Sequence, residues 1–234
     1  ARRGVGARQH PQPDRDAALI RPARRSLRLG LAALALTLAA ALLAPGVEVA
    51  VVDISDPEQV SALLDRERVD ILCNNAGILD GLVGAAECTD ATWERVMSVN
   101  VTGPFLACRH AIPIMIAQGG GAIVNVSSVA AVMPGPGELP YALAKAGLNA
   151  LTVGLARAYA PSVRVNTVMP GPVRTDIAEH WTEEFRTRIA GTVPAGRVGE
   201  AAEVVGAILY LTGPDAGYTT GATIKVDGGM AWST

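Results

Sequence analysis

From Val47 to the C-terminus, short and nearly continuous apolar runs rich in Val and Ile alternate with longer segments of helical period. Val47–Ile54, Val69–Cys73, Ala122–Val126, Val163–Val168 and Ala222–Val226 read as strands covered on both faces. Between them, Asp56-Pro57-Glu58 opens a helix through Arg68, with proline near its first position. Asp90 is expected to cap a long helical stretch that contains Asn100 and is interrupted by Pro104 and Pro113, and further helices are expected over Tyr141–Ala160 and Ala201–Leu211. Strand and helix in strict alternation predict an α/β chain with a doubly wound parallel sheet, whose ligand crevice lies beyond the carboxyl ends of the strands. No internal repeat and no linker divides residues 47–234, which read as one domain.

The residues at those strand ends are small or carry amides. Asp53-Ile54-Ser55-Asp56, Asn74-Asn75-Ala76-Gly77, Ser127-Ser128 and Pro170-Gly171-Pro172-Val173-Arg174-Thr175 follow successive strands. Any one of them is ordinary turn chemistry. Four on one rim point to a site where backbone approaches a flat ligand.

Tyr141-Ala142-Leu143-Ala144-Lys145 adds reactive groups to that rim. Residues four apart share a helix face, so phenol and ammonium lie side by side. Alone the pair is weak, arising by chance about 0.4 times in such a chain. Here it stands thirteen residues after Ser128 and just past the Pro-Gly-rich segment Pro134–Pro140.

Taken together, the Asn74–Gly77 tetrapeptide, Asn100, Ser128, the Tyr141/Lys145 pair, Pro170-Gly171 and Val226-Asp227-Gly228-Gly229 resemble, in order and spacing, a short-chain dehydrogenase/reductase from about Val47 onward. The resemblance implies a Rossmann-like single domain, an NAD(P) cofactor, and a reaction that interconverts an alcohol with a ketone or aldehyde. It implies Asn100, Ser128, Tyr141 and Lys145 as catalytic residues, with Asn100 holding a water in a proton relay and Lys145 also binding the nicotinamide ribose. Asp53 and Ile54 would lie against the adenine, and Asn75, Ala76 and Gly77 along the adenosine ribose and the middle of the cofactor. Pro170, Gly171, Val173 and Thr175 would flank the nicotinamide, Val173 and Thr175 at its carboxamide. Asp176–Arg197, with Trp181 and Phe185, would form a lid. A homotetramer or dimer built on the long helices around Asn100 and Tyr141 is implied as well.

The residue types suit that chemistry. A tyrosine with its ordinary pKa of about 10 is too weak a base near neutrality. A cation about 4 Å away at an effective dielectric near 20 contributes roughly 4 kcal/mol, about three pKa units at most. Lys145, with the positively charged oxidised nicotinamide, is therefore expected to bring Tyr141 into range, and Ser128 to steady charge on the substrate oxygen.

Residues 1–46 depart from the pattern. Residues 1–28 carry eight arginines against Asp14 and Asp16, a net of +6, whereas the other 206 residues hold twelve basic and twenty acidic groups. The overall charge of −2 argues against a nucleic-acid binder. The family's Thr-Gly-x-x-x-Gly-x-Gly phosphate loop is absent as a whole. Gly4-Val5-Gly6 offers its last two glycines, with Ala17–Ile20 as second strand and Leu31–Ala44 as third helix, but Pro11 and Pro13 would then break the phosphate-facing helix. A shifted reading frame upstream of about residue 45 is the alternative. The first βαβ unit is thus expected to be incomplete or irregular. On the first alignment Arg21, Arg24 and Arg25 tilt the choice between NAD and NADP slightly toward NADP.

Leu29–Ala44 holds sixteen residues of which only Gly30 and Thr37 are not apolar. After Arg24–Arg28 it looks like a secretory signal. Its rise of about 24 Å falls short of a hydrocarbon core of about 30 Å. A helix packed on the sheet is preferred, with no membrane partner and a cytoplasmic location, and an exported chain is the competitor. Cys73, Cys88 and Cys108 lack metal or disulfide spacing and are expected to be buried thiols, and no metal site is expected. The rival to an active enzyme is a catalytically impaired homologue or fragment, acting only as a binding or assembly module.

Overall fold

A computed structural model describes residues 50–65, 68–175 and 181–231. The expectations placed on residues 1–46 (the Gly4-Val5-Gly6 loop, the Ala17–Ile20 strand and the Leu29–Ala44 helix) lie outside the described residues, as does the first stretch of the presumed lid. The chain divides into two units, Ala1–Val51 and Val52–Thr234. Of the first, only the irregular Ala50 and Val51 are described.

The second unit begins with a correction. Val52 and Asp53 form no strand, and Ile54-Ser55 is a turn. A parallel strand exists only through ladder bonds to a neighbour. Here the Asp53 N–H donates to Gln59 Oε1 at 3.0 Å, and its carbonyl accepts from Asp56 N at 3.0 Å. Asp56 then caps α1 (Pro57–Leu63), its carboxylate accepting from Glu58 N and Gln59 N. The helix ends before the expected Arg68.

The sheet runs β1 (Ile71–Asn74), β2 (Gly121–Val126), β3 (Val163–Pro170) and β6 (Thr223–Val226), in the spatial order β1-β2-β3-β6 and all parallel. Two residues each from β4 (Val173–Arg174) and β5 (Gly199–Glu200) form a separate small ladder. Among the described residues no strand lies on the outer edge of β1, and Ile71 on that strand is 53% exposed. Cys73 is likewise exposed and Cys88 half-buried, so only Cys108 meets the expectation of a buried thiol.

Helices cover both faces. Ile123, Val163 and Val165 pack with Cys108, Ala111, Ile112 and Met115 of α3 (Gly103–Ala117) and Ala156 of α4 (Leu139–Tyr159). Val124 and Val168, one residue out of phase along the strands, meet Val204 and Leu211 of α6 (Ala201–Thr212) on the other side. The period-two alternation of side chains thus gives each strand two buried faces. The lid region contains α5 (Glu183–Ala190), capped by Thr182, with Trp181 stacked edge-on against Phe185 at 5.2 Å.

The long segment around Asn100 is more articulated than its periodicity suggests. Thr89, not Asp90, supplies the cap, its hydroxyl accepting from Thr92 N, and α2 spans Asp90–Met97. A π-helical turn over Ser98–Thr102 joins it to α3, with Gly103 N donating to the carbonyl of Ser98. Pro104, which lacks an N–H, is the second residue of α3, directly after the π turn. Pro113 lies inside α3 without ending it.

Candidate active site

Asn100 sits in the π turn and is fully buried. Its amide nitrogen donates to the carbonyls of Ile78 and Val96, each at 2.9 Å, and its Oδ1 accepts from Ile78 N at 3.2 Å. Both amide hydrogens are therefore spent on bracing the backbone just past β1. Only the remaining lone pair of Oδ1 is left for a relay. A π turn shifts side chains out of α-helical phase, which is how Asn100 is brought to face Ile78.

Gly77 explains itself beside it. A Cβ built there would stand 2.7 Å from Asn100 Oδ1 and 3.2 Å from Lys145 Nζ. Side chains from the loop after β1, the π turn and α4 thus close on one point, and only glycine leaves it open.

Lys145 lies one turn into α4 from Tyr141 and is 3% exposed. Its Nζ donates to the carbonyl of Val126, the last residue of β2, at 2.9 Å. Desolvation pushes the ammonium down to about 8. Its carbonyl in turn accepts from Ser127 Oγ at 3.1 Å, tying the end of β2 to α4 a second time.

Ser128 follows in extended conformation. Its Oγ caps a single 3-10 turn over Val129–Ala131 by accepting from Ala130 N at 3.2 Å. The same hydroxyl neighbours the Tyr141 phenol and favours its ionised form. Capping, the bland role for this serine, and a site role therefore coexist.

For the phenol the expected electrostatics are reversed. Burial pushes Tyr141 above its ordinary value, the Ser128 hydrogen bond opposes that, and the carboxylates of Glu138 and Asp80 add to it. Lys145 Nζ stands 5.6 Å from the ring centroid, and its own charge is weakened by burial. The lowering expected from a cation at contact distance is not what this geometry delivers.

The remaining predicted residues are spread along the rim. Asn75 and Ala76 are exposed beside Gly77. Asp53 is exposed, its Oδ1 accepting from the N–H and hydroxyl of Ser55. Ile54 packs where a Cβ on Gly103 would meet its Cδ1 at 2.9 Å. Pro170 ends β3 opposite Val226, and Gly171 N donates to Val226 O at 3.0 Å. A Cβ on Gly171 would strike Asp227 at 2.8 Å, so the Pro-Gly turn and the Asp227-Gly228 loop pack as one piece. Val173 is held by the β4/β5 ladder, and Thr175 is exposed.

Sequence reasoning passed over a buried polar chain beneath this rim. Asn74 Nδ2 donates to Asn125 Oδ1, Asn125 Nδ2 donates to Thr152 Oγ1, and Thr167 Oγ1 donates to the same oxygen, each at 2.8 Å. Thr152 Oγ1 donates onward to the carbonyl of Leu148 at 3.0 Å. The available signal was Asn125, an amide inside an otherwise apolar strand, which must find partners when buried. Asp80, 4% exposed, was also missed, and nothing in its sequence context marks it.

The donors at Lys145 suit the ribose of a dinucleotide. Lys145 Nζ has three donors, of which Val126 takes one, and it faces the opening that a Cβ on Gly77 would fill. Such a buried donor set suits ribose hydroxyls. Among the described residues no group of three or more His, Cys, Asp or Glu side chains could hold a metal, and no helix is long and apolar enough to cross a membrane.

Comparison with known proteins shows what the chain is similar to. Residues 29–231 match the family profile described as enoyl-(acyl carrier protein) reductase. The 3-oxoacyl-(acyl-carrier-protein) reductase FabG of Thermotoga maritima is 36% identical over 187 residues, 77% of this chain and 75% of that protein. The 7alpha-hydroxysteroid dehydrogenase of Clostridium sardiniense is 39% identical over 173 residues, 71% of this chain and 65% of that protein. Among solved structures, a gluconate 5-dehydrogenase from Burkholderia cenocepacia in complex with NADP and tartrate matches with a TM-score of 0.73 at 31% identity, covering 76% of this chain and 72% of that one.

Proposed function

Since the chain belongs to the short-chain dehydrogenase/reductase family of NAD(P)-dependent oxidoreductases, we propose that it interconverts an alcohol and a ketone or aldehyde, with Tyr141 as the general acid/base. One observation carries this reading. Ser128 is a hydrogen-bonding neighbour that favours the ionised Tyr141 phenol, and Lys145 is buried one helical turn along α4, its Nζ bonded to the last carbonyl of β2.

The bound nicotinamide would supply or accept the hydride, which no side chain can do. Tyr141, held protonated by burial, is suited to donate its proton to a carbonyl oxygen, the reductive direction. Ser128 would hydrogen-bond the same oxygen and steady the charge that develops there. Lys145 would hold the ribose hydroxyls and return a proton toward Tyr141. Asn100, through the free lone pair of Oδ1, would connect that ammonium to solvent. Asn75, Ala76 and Gly77 would line the middle of the cofactor, Asp53 and Ile54 its adenine, and Pro170, Gly171, Val173 and Thr175 its nicotinamide end. NADP is favoured over NAD by Arg21, Arg24 and Arg25 in the sequence and by the NADP-bound gluconate 5-dehydrogenase. A cytoplasmic homo-oligomer is proposed as well. Phe105 and Ile116 of α3, both over 40% exposed, border an apolar groove with Leu155 and Tyr159 that a second copy would cover.

A second reading, a catalytically silent homologue that only binds or assembles, is favoured by the sequence of residues 1–46, which lacks the family's Thr-Gly-x-x-x-Gly-x-Gly loop as a whole. A single experiment separates the two. The purified chain is titrated calorimetrically with NADPH and NADH, then assayed for carbonyl reduction over a panel of ketones and aldehydes, alongside Tyr141→Phe. Micromolar binding with turnover that Tyr141→Phe abolishes supports the enzyme. Binding without turnover over the whole panel supports the silent homologue.

A further inference from the structure

Asp80 is the most buried carboxylate among the described residues, and its neighbours are specific. Its Oδ1 accepts from Leu82 N at 3.1 Å, and its Oδ2 accepts from Tyr141 N at 3.2 Å. The first bond belongs to the loop leaving β1. The second belongs to the opening turn of α4, where backbone N–H groups have no intrahelical acceptor. Neighbouring donors there are already accounted for, since Pro140 has none and Ala142 N donates to Glu138 O at 2.7 Å.

Leu82 itself has φ of 59°, a left-handed conformation rare for leucine. Its carbonyl approaches Gly137 so closely that a Cβ on that glycine would stand 2.7 Å away. The loop after β1 and the segment before α4 are therefore packed backbone to backbone, and Asp80 is the side chain that bonds both.

We propose that Asp80 is a positioning residue for Tyr141, its carboxylate pinning the loop after β1 to the first turn of α4 and presenting a negative charge to the same tyrosine. The proposal rests on the reading of Tyr141 as the general acid. A carboxylate near a phenol disfavours the phenolate and so preserves the proton that carbonyl reduction requires. Four groups bear on the phenol from the elements around it. Glu138 at the start of α4 and Asp80 from the β1 loop favour the neutral form and Ser128 from the β2 loop the ionised one, while Lys145 Nζ farther along α4 stands 5.6 Å from the ring centroid.

The test does not require turnover. Tyrosine labelled with 13C at Cζ is titrated by NMR in the full chain, with Tyr141→Phe assigning the signal. In Asp80→Asn the Tyr141 signal is expected to titrate at lower pH than in the wild type, by roughly half a unit or more. An unchanged titration in a folded Asp80→Asn overturns the proposal. Hydrogen exchange on the wild type covers the case in which that variant does not fold. The Tyr141 amide should be protected at least about tenfold over an open first-turn amide, and exchange at the open rate overturns the proposal as well. A wild type that turns over no substrate removes the proposed reaction while both readouts still report on Asp80, so the two failures are distinct.

Discussion

Lys145 Nζ donates to the carbonyl of Val126 across 2.9 Å, joining α4 to the end of β2 through a cation that is 3% exposed. The bond positions the ammonium, but one carbonyl does not replace the water that a charge gives up on burial. Lys145 is therefore held at a cost to stability, in the manner of groups kept for function.

Replacing Lys145 by Met is expected to stabilise the fold and end turnover. The folded chain releases this proton near pH 8 and the unfolded chain near 10.5. The difference amounts to about 3 kcal/mol at neutral pH, less about 1 kcal/mol for the Val126 carbonyl left without its donor. Between those pH values the unfolded state binds more protons, so wild-type stability rises with pH. Urea unfolding should show Lys145→Met ahead by about 2 kcal/mol at pH 7, with the advantage fading by pH 10.5.

Gly77→Ala should damage activity more than stability. The new methyl group must displace Asn100 Oδ1 or Lys145 Nζ, from which it would stand 2.7 and 3.2 Å. Overpacking of this kind costs roughly 1–3 kcal/mol, and displacement of an aligned group lowers kcat about tenfold or more. Parallel melting curves and steady-state kinetics would decide it, and an alanine variant with wild-type kcat would show that the Asn100–Lys145 spacing is immaterial.

Tyr141→Phe is expected to lower kcat for carbonyl reduction by about 10² to 10⁴ while leaving the fold intact. Because burial holds the wild-type phenol above its ordinary pKa, its proton remains available as pH rises through 10 and is lost only beyond. A pH–rate profile of reduction whose tyrosine limb fell below pH 9 would contradict this sign.

Thr152→Val removes the oxygen on which Asn125 Nδ2 and Thr167 Oγ1 both converge. Valine preserves the volume and strands two buried donors, so a loss of about 3 kcal/mol is expected, measured as a lower urea midpoint at unchanged slope.

The periodicity from Val69 onward predicted the four strands of the larger sheet to within two residues, because parallel strands buried on both faces are nearly continuous apolar runs, and passed over the two-residue β4 and β5. It failed over the described end of the Val47–Ile54 run, where composition says strand but the Asp53 backbone bonds Gln59 and Asp56 instead. Thr89 was overlooked as a cap because Asp90, one residue later, has the same preference. Asn100, Ser128, Tyr141 and Lys145 were singled out through the family resemblance, and helical periodicity placed Tyr141 and Lys145 on one face of α4.

By itself the sequence determined the α/β alternation and the placing of Tyr141 and Lys145 on one helix face, since these depend on period and residue type. The tertiary structure alone decided what those groups are worth. The direction of the Tyr141 shift, the burial of Lys145 against Val126 and the Asp80 bonds to Leu82 and Tyr141 depend on how much water is excluded and which distant backbone comes near. Desolvation and through-space charge scale with depth and distance in the folded chain, which residue spacing does not encode.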